Sequence, residues 1–512
     1  MIIFVKSLRN KHLRTDMADN LKQKAISGAR WGFIENLSSL AVTFVVAFVL
    51  QRWFLSPREF GLVGDLAIFI AISISLIDNG FSAAIIKKPE PSAKDLSTTF
   101  VTNLVISLVC FAILQLCAPL VATYFNEPEL TCLLRVLSFV LIINAVSIIQ
   151  RVLLVKAVDF KSLTKCSVTA SVVSGIVGIW MAFRGYGVWS LVGQQISRQA
   201  VNTIMLWIVG HWRISMMFSG KSFRELFSYG SNVLATGLLD TLFKNIYFPV
   251  IGKGFGTAVL GQYSSAEKYS NVTSNNLSQV VQRVSFPVLS KVQDDDDRLR
   301  NAFRTILKVV MAVSVLVSFW LSAISYPFIV GLVGEQWTPA AHILSIACLA
   351  GAFYPAHYLY QNILQVKGKM RLYLTLDILK KVLMAISIVI GIVFKSLDVL
   401  LWGMVAASIL TLFINAYFSG RCINYSLFSQ IWDLLPMFLI AAIISLGIGI
   451  LAVLFIWLCQ RLGWYDITWT NLAAVAASSA VGAIIVLLFY KFLPKKEALE
   501  IKNLLTVWKK RD

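Results

Sequence analysis

The sequence predicts an all-α polytopic membrane protein. It has about 14 transmembrane helices, in two six-helix bundles of like orientation plus two C-terminal helices. Three observations carry this reading. Hydrophobic residues make up 57% of the 512 and charged residues 14%, with a mean hydropathy of +0.74; soluble domains are about 25% charged. Apolar runs of the ~20 residues needed to cross a bilayer recur from end to end. Lys and Arg concentrate in alternate connecting segments, as orientation in a membrane requires.

The elements follow in order. Residues 1–30 form a basic cytoplasmic segment that includes Lys6, Arg9, Lys11 and Arg14. Residues 31–212 form the first bundle, with crossings near 31–53, 60–80, 98–122, 130–154, 163–183 and 187–210. Residues 213–425 form the second, with crossings near 226–250, 258–285, 303–326, 337–365, 372–394 and 397–420. Residues 426–493 add two helices near 434–459 and 470–492, and 494–512 form a basic cytoplasmic tail. With both termini inside, 34 of the 46 Lys and Arg fall in inner segments, six in outer segments and six within spans. Such a bias explains the net charge of +20 without nucleic acid.

The eighth crossing is unusual. "GQYSSAEKYSNVTSNNLSQVVQRVSFPV" (261–288) is polar through most of its length. Only a crossing here keeps the charge alternation, and a polar crossing must line water or be buried against other helices. A weak repeat places it. "RWGF" (30–33) and "SYGS" (228–231) open spans one and seven, and "SPREFGLVGDL" (56–66) matches "GTAVLGQYSSA" (256–266) in position. Six spans per repeat is an even number, so both halves run the same way, which puts a substrate site between them.

Charge inside the spans marks candidate site residues, because one charge at the bilayer centre costs at least ~2.5–3.5 kcal/mol. Asp240 and Lys244 are i and i+4 on span seven. They form either a self-neutralising pair or one wall of a cavity shared with Glu267 and Lys268 of span eight. Asn271 and Asn275 extend that polar face. In span six, Gln194, Arg198 and Asn202 share a face at helical spacing. Arg30 and Glu35 sit near the cytoplasmic edge of span one. An Asp377–Lys381 pair would account for the charges of span eleven, and the acids of "QDDDDRLR" (293–300) suit a helix N-terminus. Cationic walls suit a phosphorylated anion. Glu35, Asp240 and Glu267 could carry H+ or Na+, or hold the bases in place.

Other classes are disfavoured. There is no G-x-x-x-x-G-K-[ST] loop for ATP, no H-E-x-x-H zinc motif and no C-x-x-C pair. No cofactor is expected. A membrane glycosyltransferase or polymerase would need a sizeable outer loop for catalytic groups, and none is present.

Several stretches resemble bacterial polysaccharide transporters, the lipid-linked oligosaccharide flippases of the multidrug/oligosaccharidyl-lipid/polysaccharide exporter superfamily. They include "KAISGARWGFIENLSS" (24–39), "RWFLSPREFGLVG" (52–64), "IDNGFSAAIIKK" (77–88), "QRVSFPVLSKVQ" (282–293) and "GEQWTPAAHILSIACLAG" (334–351). The resemblance implies two bundles in a V, alternating access in the bacterial inner membrane, and a non-enzymatic role. The implied substrate is undecaprenyl-diphosphate-linked oligosaccharide. Membrane lipid and the polysaccharide polymerase and chain-length machinery are the implied partners. A cation-coupled drug exporter of the same fold is the alternative; it would favour an acidic, aromatic cavity.

Overall fold

The computed structural model describes residues 28, 31–32, 34–215, 217–462 and 466–492. Arg30, most of the basic N-terminal segment and the tail 494–512 lie outside the described residues. Among the described residues the regular structure is entirely helical.

The first compact unit ends at Lys253 and the second begins at Gly254. Unit one contains α1 (Ile34–Trp53), α2 (Pro57–Lys87), α3 (Ala93–Phe125), α4 (Glu129–Leu137) and α5 (Phe139–Lys156). It continues through α6 (Phe160–Phe183), α7 (Trp189–Val209) and α8 (Gly220–Asn245), and ends within α9 (Tyr247–Phe255). Unit two contains α10 (Thr257–Ser290), α11 (Asp296–Ala323), α12 (Ser325–Val333), α13 (Thr338–Gly351) and α14 (Tyr354–Val366). After these come α15 (Met370–Val393), α16 (Leu397–Arg421), α17 (Leu427–Arg461) and α18 (Ile467–Phe492). Every expected crossing is thus helical. Nine of the described helical segments are long and apolar enough to cross a membrane by length and composition.

Local chemistry sets the helix starts. Ser56 caps α2: its N–H and hydroxyl both donate to Glu59 Oε2, at 2.7 and 3.1 Å, and Pro57 supplies the first helical position. Ser92 and Asp95 form the same reciprocal box at α3, with bonds of 2.9 and 3.2 Å. Asp295 accepts from the N–H groups of Asp297 and Arg298, so the acidic run does cap a helix, α11, as its composition suggested.

The repeat is clearer in backbone than in letters. Spans four and ten, six crossings apart, are both broken: α4 gives way to α5 at Ser138, and α13 to α14 at Ala352–Phe353. Left-handed residues follow both, at Val158 (φ 59°) and Gly368 (φ 66°). They recur after spans five and eleven, at Gly185 (φ 79°) and Lys395 (φ 47°).

Each unit has its own apolar core. In unit one, Leu62, Leu66, Ile77, Leu133, Leu141 and Ile149 knit α2, α4 and α5 together. In unit two, Phe303, Leu307, Met311, Leu359, Tyr360 and Ile363 do so for α11 and α14. The two trailing helices dock on unit two. Arg304 Nε and Nη2 both reach Asp433 of α17 at 2.5 Å, Lys308 Nζ lies 3.1 Å away, and the Tyr425 hydroxyl donates to the same carboxylate. Burial, and then the Asp433 carboxylate, push the Tyr425 phenol above its usual range. Trp320 Nε1 of α11 donates to Ser479 of α18 at 3.2 Å.

The unit boundary differs from the one expected after residue 212. Span seven, as α8, packs on α2 of unit one. Gly80 and Gly230 make the approach possible: a Cβ on Gly230 would lie 2.7 Å from the Gly80 carbonyl oxygen, and one on Gly80 would lie 3.1 Å from that of Gly230. Beside this crossing Phe223 stacks on Phe227, with ring centroids 5.5 Å apart, and Phe81 leans on both.

Candidate functional site

The polar residues of the expected site lie on four helices: α1, α7, α8 and α10. On α7, one face serves packing. Gln199 Nε2 donates to Asn144 Oδ1 at 3.0 Å, Thr203 to the Ile143 carbonyl at 3.1 Å and Trp207 Nε1 to that of Val146 at 3.1 Å, which fastens α7 to α5. Gln194 is half-buried against Gly178 of α6, where a glycine Cβ would meet its side chain at 3.1 Å. It is part of the α6–α7 seam rather than an open wall. Arg198, one turn on, is exposed, and Asn202 is half-buried.

On α8, Asp240 and Lys244 are both exposed. Lys244 makes no ion pair among the described residues, so the self-neutralising i, i+4 pair does not form. The two belong instead to a longer stripe. Asn232, Thr236, Asp240 and Lys244 are all exposed at successive four-residue steps. Asn232 and Thr236 went unnoticed in the sequence because neither carries charge, although the spacing was there to find.

Helix α10 has two polar faces with different uses. Ser270, Ser274, Ser278 and Ser285 are buried. A Cβ on Gly351 of α13 would come within 2.9 Å of Ser274 Cβ, so serine and glycine let these helices approach closely. Asn362 of α14 donates to Ser285 Oγ at 2.7 Å, and Gln262 bridges to the Gln336 carbonyl and the Ala340 N–H at 2.8 and 3.1 Å. The adjoining face carries Glu267, Lys268, Asn271 and Asn275, all half-buried, with Asn275 Nδ2 donating to Asn271 Oδ1 at 2.7 Å. The polarity of span eight is therefore part helix packing and part accessible surface.

The four charges expected together divide between the units: Asp240 and Lys244 are in unit one, Glu267 and Lys268 in unit two. Glu35 is half-buried on α1, a helix seated on α6 through Ser39–Ser167 (3.4 Å between hydroxyls) and the close approach of Val46 to Gly175. In span eleven, Lys381 Nζ lies 2.8 Å from Asp377 Oδ2, as its i, i+4 spacing suggested, and Lys380 Nζ lies 6.0 Å from the Tyr354 ring centroid.

The profile of a polysaccharide biosynthesis protein family matches residues 49–342, more than half the chain. The chain belongs to this family. Among relatives, teichuronic acid biosynthesis protein TuaB of Bacillus subtilis is 25% identical over 439 residues, covering 84% of this chain and 90% of TuaB. Lipopolysaccharide biosynthesis protein WzxC of Escherichia coli is 26% identical over 376 residues, covering 73% of this chain and 76% of WzxC. In fold, the chain is similar to the lipid II flippase MurJ in an inward closed conformation, with a TM-score of 0.65 at 14% identity over 91% of this chain and 99% of MurJ. The family member described here is a multi-pass membrane protein.

Proposed function

We propose that the chain is a flippase. It carries undecaprenyl-diphosphate-linked oligosaccharide repeat units from the cytoplasmic to the periplasmic leaflet by alternating access, for surface polysaccharide synthesis. The observation that carries this reading is the pair of exposed cations within helices α7 and α8: Arg198, and Lys244 without an ion-pair partner among the described residues. An uncompensated cation in hydrocarbon is costly, so each needs water and, in the working protein, an anion. A diphosphate answers that need, with Arg binding two oxygens at once and Lys acting as a point charge. Polar side chains on the accessible face of α10, Asn271 and Asn275 among them, would bond sugar hydroxyls. The lipid tail would stay in the bilayer.

Related biosynthetic roles support the reading: TuaB and WzxC are named for teichuronic acid and lipopolysaccharide synthesis. Glu35, Asp240 and Glu267 are the proposed carriers of a coupling H+ or Na+. Arg30, at the expected cytoplasmic edge of span one, would draw the diphosphate inward. The protein would sit in the inner membrane with both termini in the cytoplasm, beside the polymerase and chain-length proteins that use its product. It performs no bond chemistry of its own.

The deciding experiment is reconstitution into liposomes with a fluorescent lipid-diphosphate oligosaccharide. Label must cross the bilayer in a protein-dependent way, and an excess of unlabelled lipid diphosphate must compete while a cationic dye does not. Export of the dye with no movement of the lipid would establish the drug-exporter alternative.

A further inference from the structure

Helix α14 lies deep in unit two, and its few accessible residues form a pattern. Nine of its 13 residues are buried. The other four, Tyr354, Tyr358, Gln365 and Val366, are half-buried, and the first three share one face at helical spacing. Two tyrosine rings one turn apart therefore open on the same side. Tyr360 shows the contrasting, structural use of a tyrosine: it is buried, and its hydroxyl donates to Gln430 at 2.7 Å. The break between α13 and α14 fixes where the strip begins. There Phe353 stacks on Phe438, Pro355 occupies the first turn, and the rings of Tyr354 and buried His357 lie 6.3 Å apart.

A lysine from the next helix meets this strip. The Asp377–Lys381 pair of α15 does not include Lys380. Lys380 is ten residues past the start of α15 at Met370, about 15 Å along the axis, or half of a ~30 Å hydrocarbon core. Tyr354 is twelve residues from the end of α14 at Val366, about 18 Å, so the two residues meet near mid-depth. A snorkelling lysine would lean back towards Met370, as Lys381 leans towards Asp377. Lys380 instead holds its ammonium 6.0 Å from the Tyr354 ring centroid. Both residues are half-buried, and an ammonium at this depth needs water or polar groups around it.

We propose that this strip is a glycan-binding site: Tyr354 and Tyr358 take the C–H face of a pyranose ring of the oligosaccharide, and Lys380 and Gln365 bond its hydroxyls. The chemistry fits the sugar better than the other parts of a lipid-linked molecule. A pyranose presents an apolar C–H face to an aromatic ring and a rim of hydroxyls to an ammonium or an amide. A diphosphate would make no use of two tyrosine rings. A polyprenyl tail offers nothing to an ammonium or an amide. A cationic drug would meet repulsion from Lys380. The inference rests on the flippase reading and deepens it, by naming a site in unit two that sets which sugar is accepted.

The test uses the full chain in detergent, with Gln365→Cys as a reporter that leaves both rings and the ammonium in place. The parent chain, which retains its seven cysteines, is treated identically. The probe is the oligosaccharide released by mild acid from the lipid-linked pool of the cells that make this chain, so it carries neither lipid nor phosphate. It should slow maleimide labelling of the added cysteine about threefold or more, and adding Tyr354→Leu or Lys380→Met should remove the protection. Labelling at the unprotected rate would overturn the sugar site while leaving the flippase reading intact. Equal protection by undecaprenyl phosphate, which has no sugar, would also overturn it and put a lipid chain on the strip. A second measurement reads transport of the labelled lipid-diphosphate oligosaccharide in liposomes. Tyr354→Leu and Lys380→Met should each raise its half-saturating concentration about fivefold or more with little change in maximal rate, and Tyr354→Phe, which keeps the ring, should recover most of the loss. Unchanged half-saturation in both variants rejects the site. A parent chain that sugar protects but that moves no lipid would sink the flippase reading and keep the site.

Discussion

Helices α8 and α10 are separated in the chain only by the short α9, and both carry more polar residues than a lipid-facing helix tolerates, yet they use them differently. Helix α8 puts Asn232, Thr236, Asp240 and Lys244 on an exposed face and buries three residues of 26. Helix α10 buries its serines against Gly351 and Asn362, and keeps Glu267, Asn271 and Asn275 on a half-buried flank. The difference teaches that polarity in a span has two physical meanings. Small hydroxyl residues let backbones approach, whereas long charged ones require water. Composition alone cannot separate them; the size of the side chain and its position on the helix can.

The comparison breaks most severely at its two glycine contacts. Gly230→Val would force a side chain into the Gly80 backbone, and Gly351→Val one into Ser274. Overpacking of this kind typically costs about 1–3 kcal/mol or more. Both variants should show lower thermal midpoints in detergent. Gly254→Ala, where a Cβ meets nothing within 4 Å, should be neutral or slightly stabilising. Equal behaviour of Gly230→Val and Gly254→Ala would mean that α8 does not rest on α2.

A middle-sized effect sharpens the contrast on the α10 side. Ser285→Ala leaves the buried Asn362 amide without its acceptor, which should cost about 1–3 kcal/mol. The same serine-sized deletion on the exposed stripe of α8, Thr236→Ala, should change stability by less than about 0.5 kcal/mol. A large loss from Thr236→Ala would place that face against protein. A smaller loss than that of Ser285→Ala is expected at the trailing helices. Asp433→Asn weakens the ties to Arg304 and Lys308, both partly exposed, and should cost about 1 kcal/mol, read as a modest fall in thermal midpoint. Retention of transport in that variant would show that α17 serves as support.

Much of the fold was legible because a bilayer imposes strong rules. Apolar runs marked the helices. The acidic cap of α11 at Asp295 and the Asp377–Lys381 pair were local, and local spacing is what a sequence displays. The membership of span seven was not legible. It depends on Gly80 meeting Gly230, 150 residues away, and two glycines carry no signal of partnership. For the same reason Gln194, grouped with Arg198 by periodicity, proved to be part of a seam with Gly178. Periodicity gives the face of a helix and leaves open which neighbour covers it.

The central claim is that cations within the spans receive a phosphorylated head group. Arg198→Ala and Lys244→Ala, each with normal yield and an unchanged thermal midpoint, test it when placed in liposomes with labelled lipid-diphosphate oligosaccharide. The account predicts that each lowers the transport rate at least about tenfold, the loss of one charge-assisted contact of ~1.4 kcal/mol or more. Transport at the parental rate in both variants would contradict it.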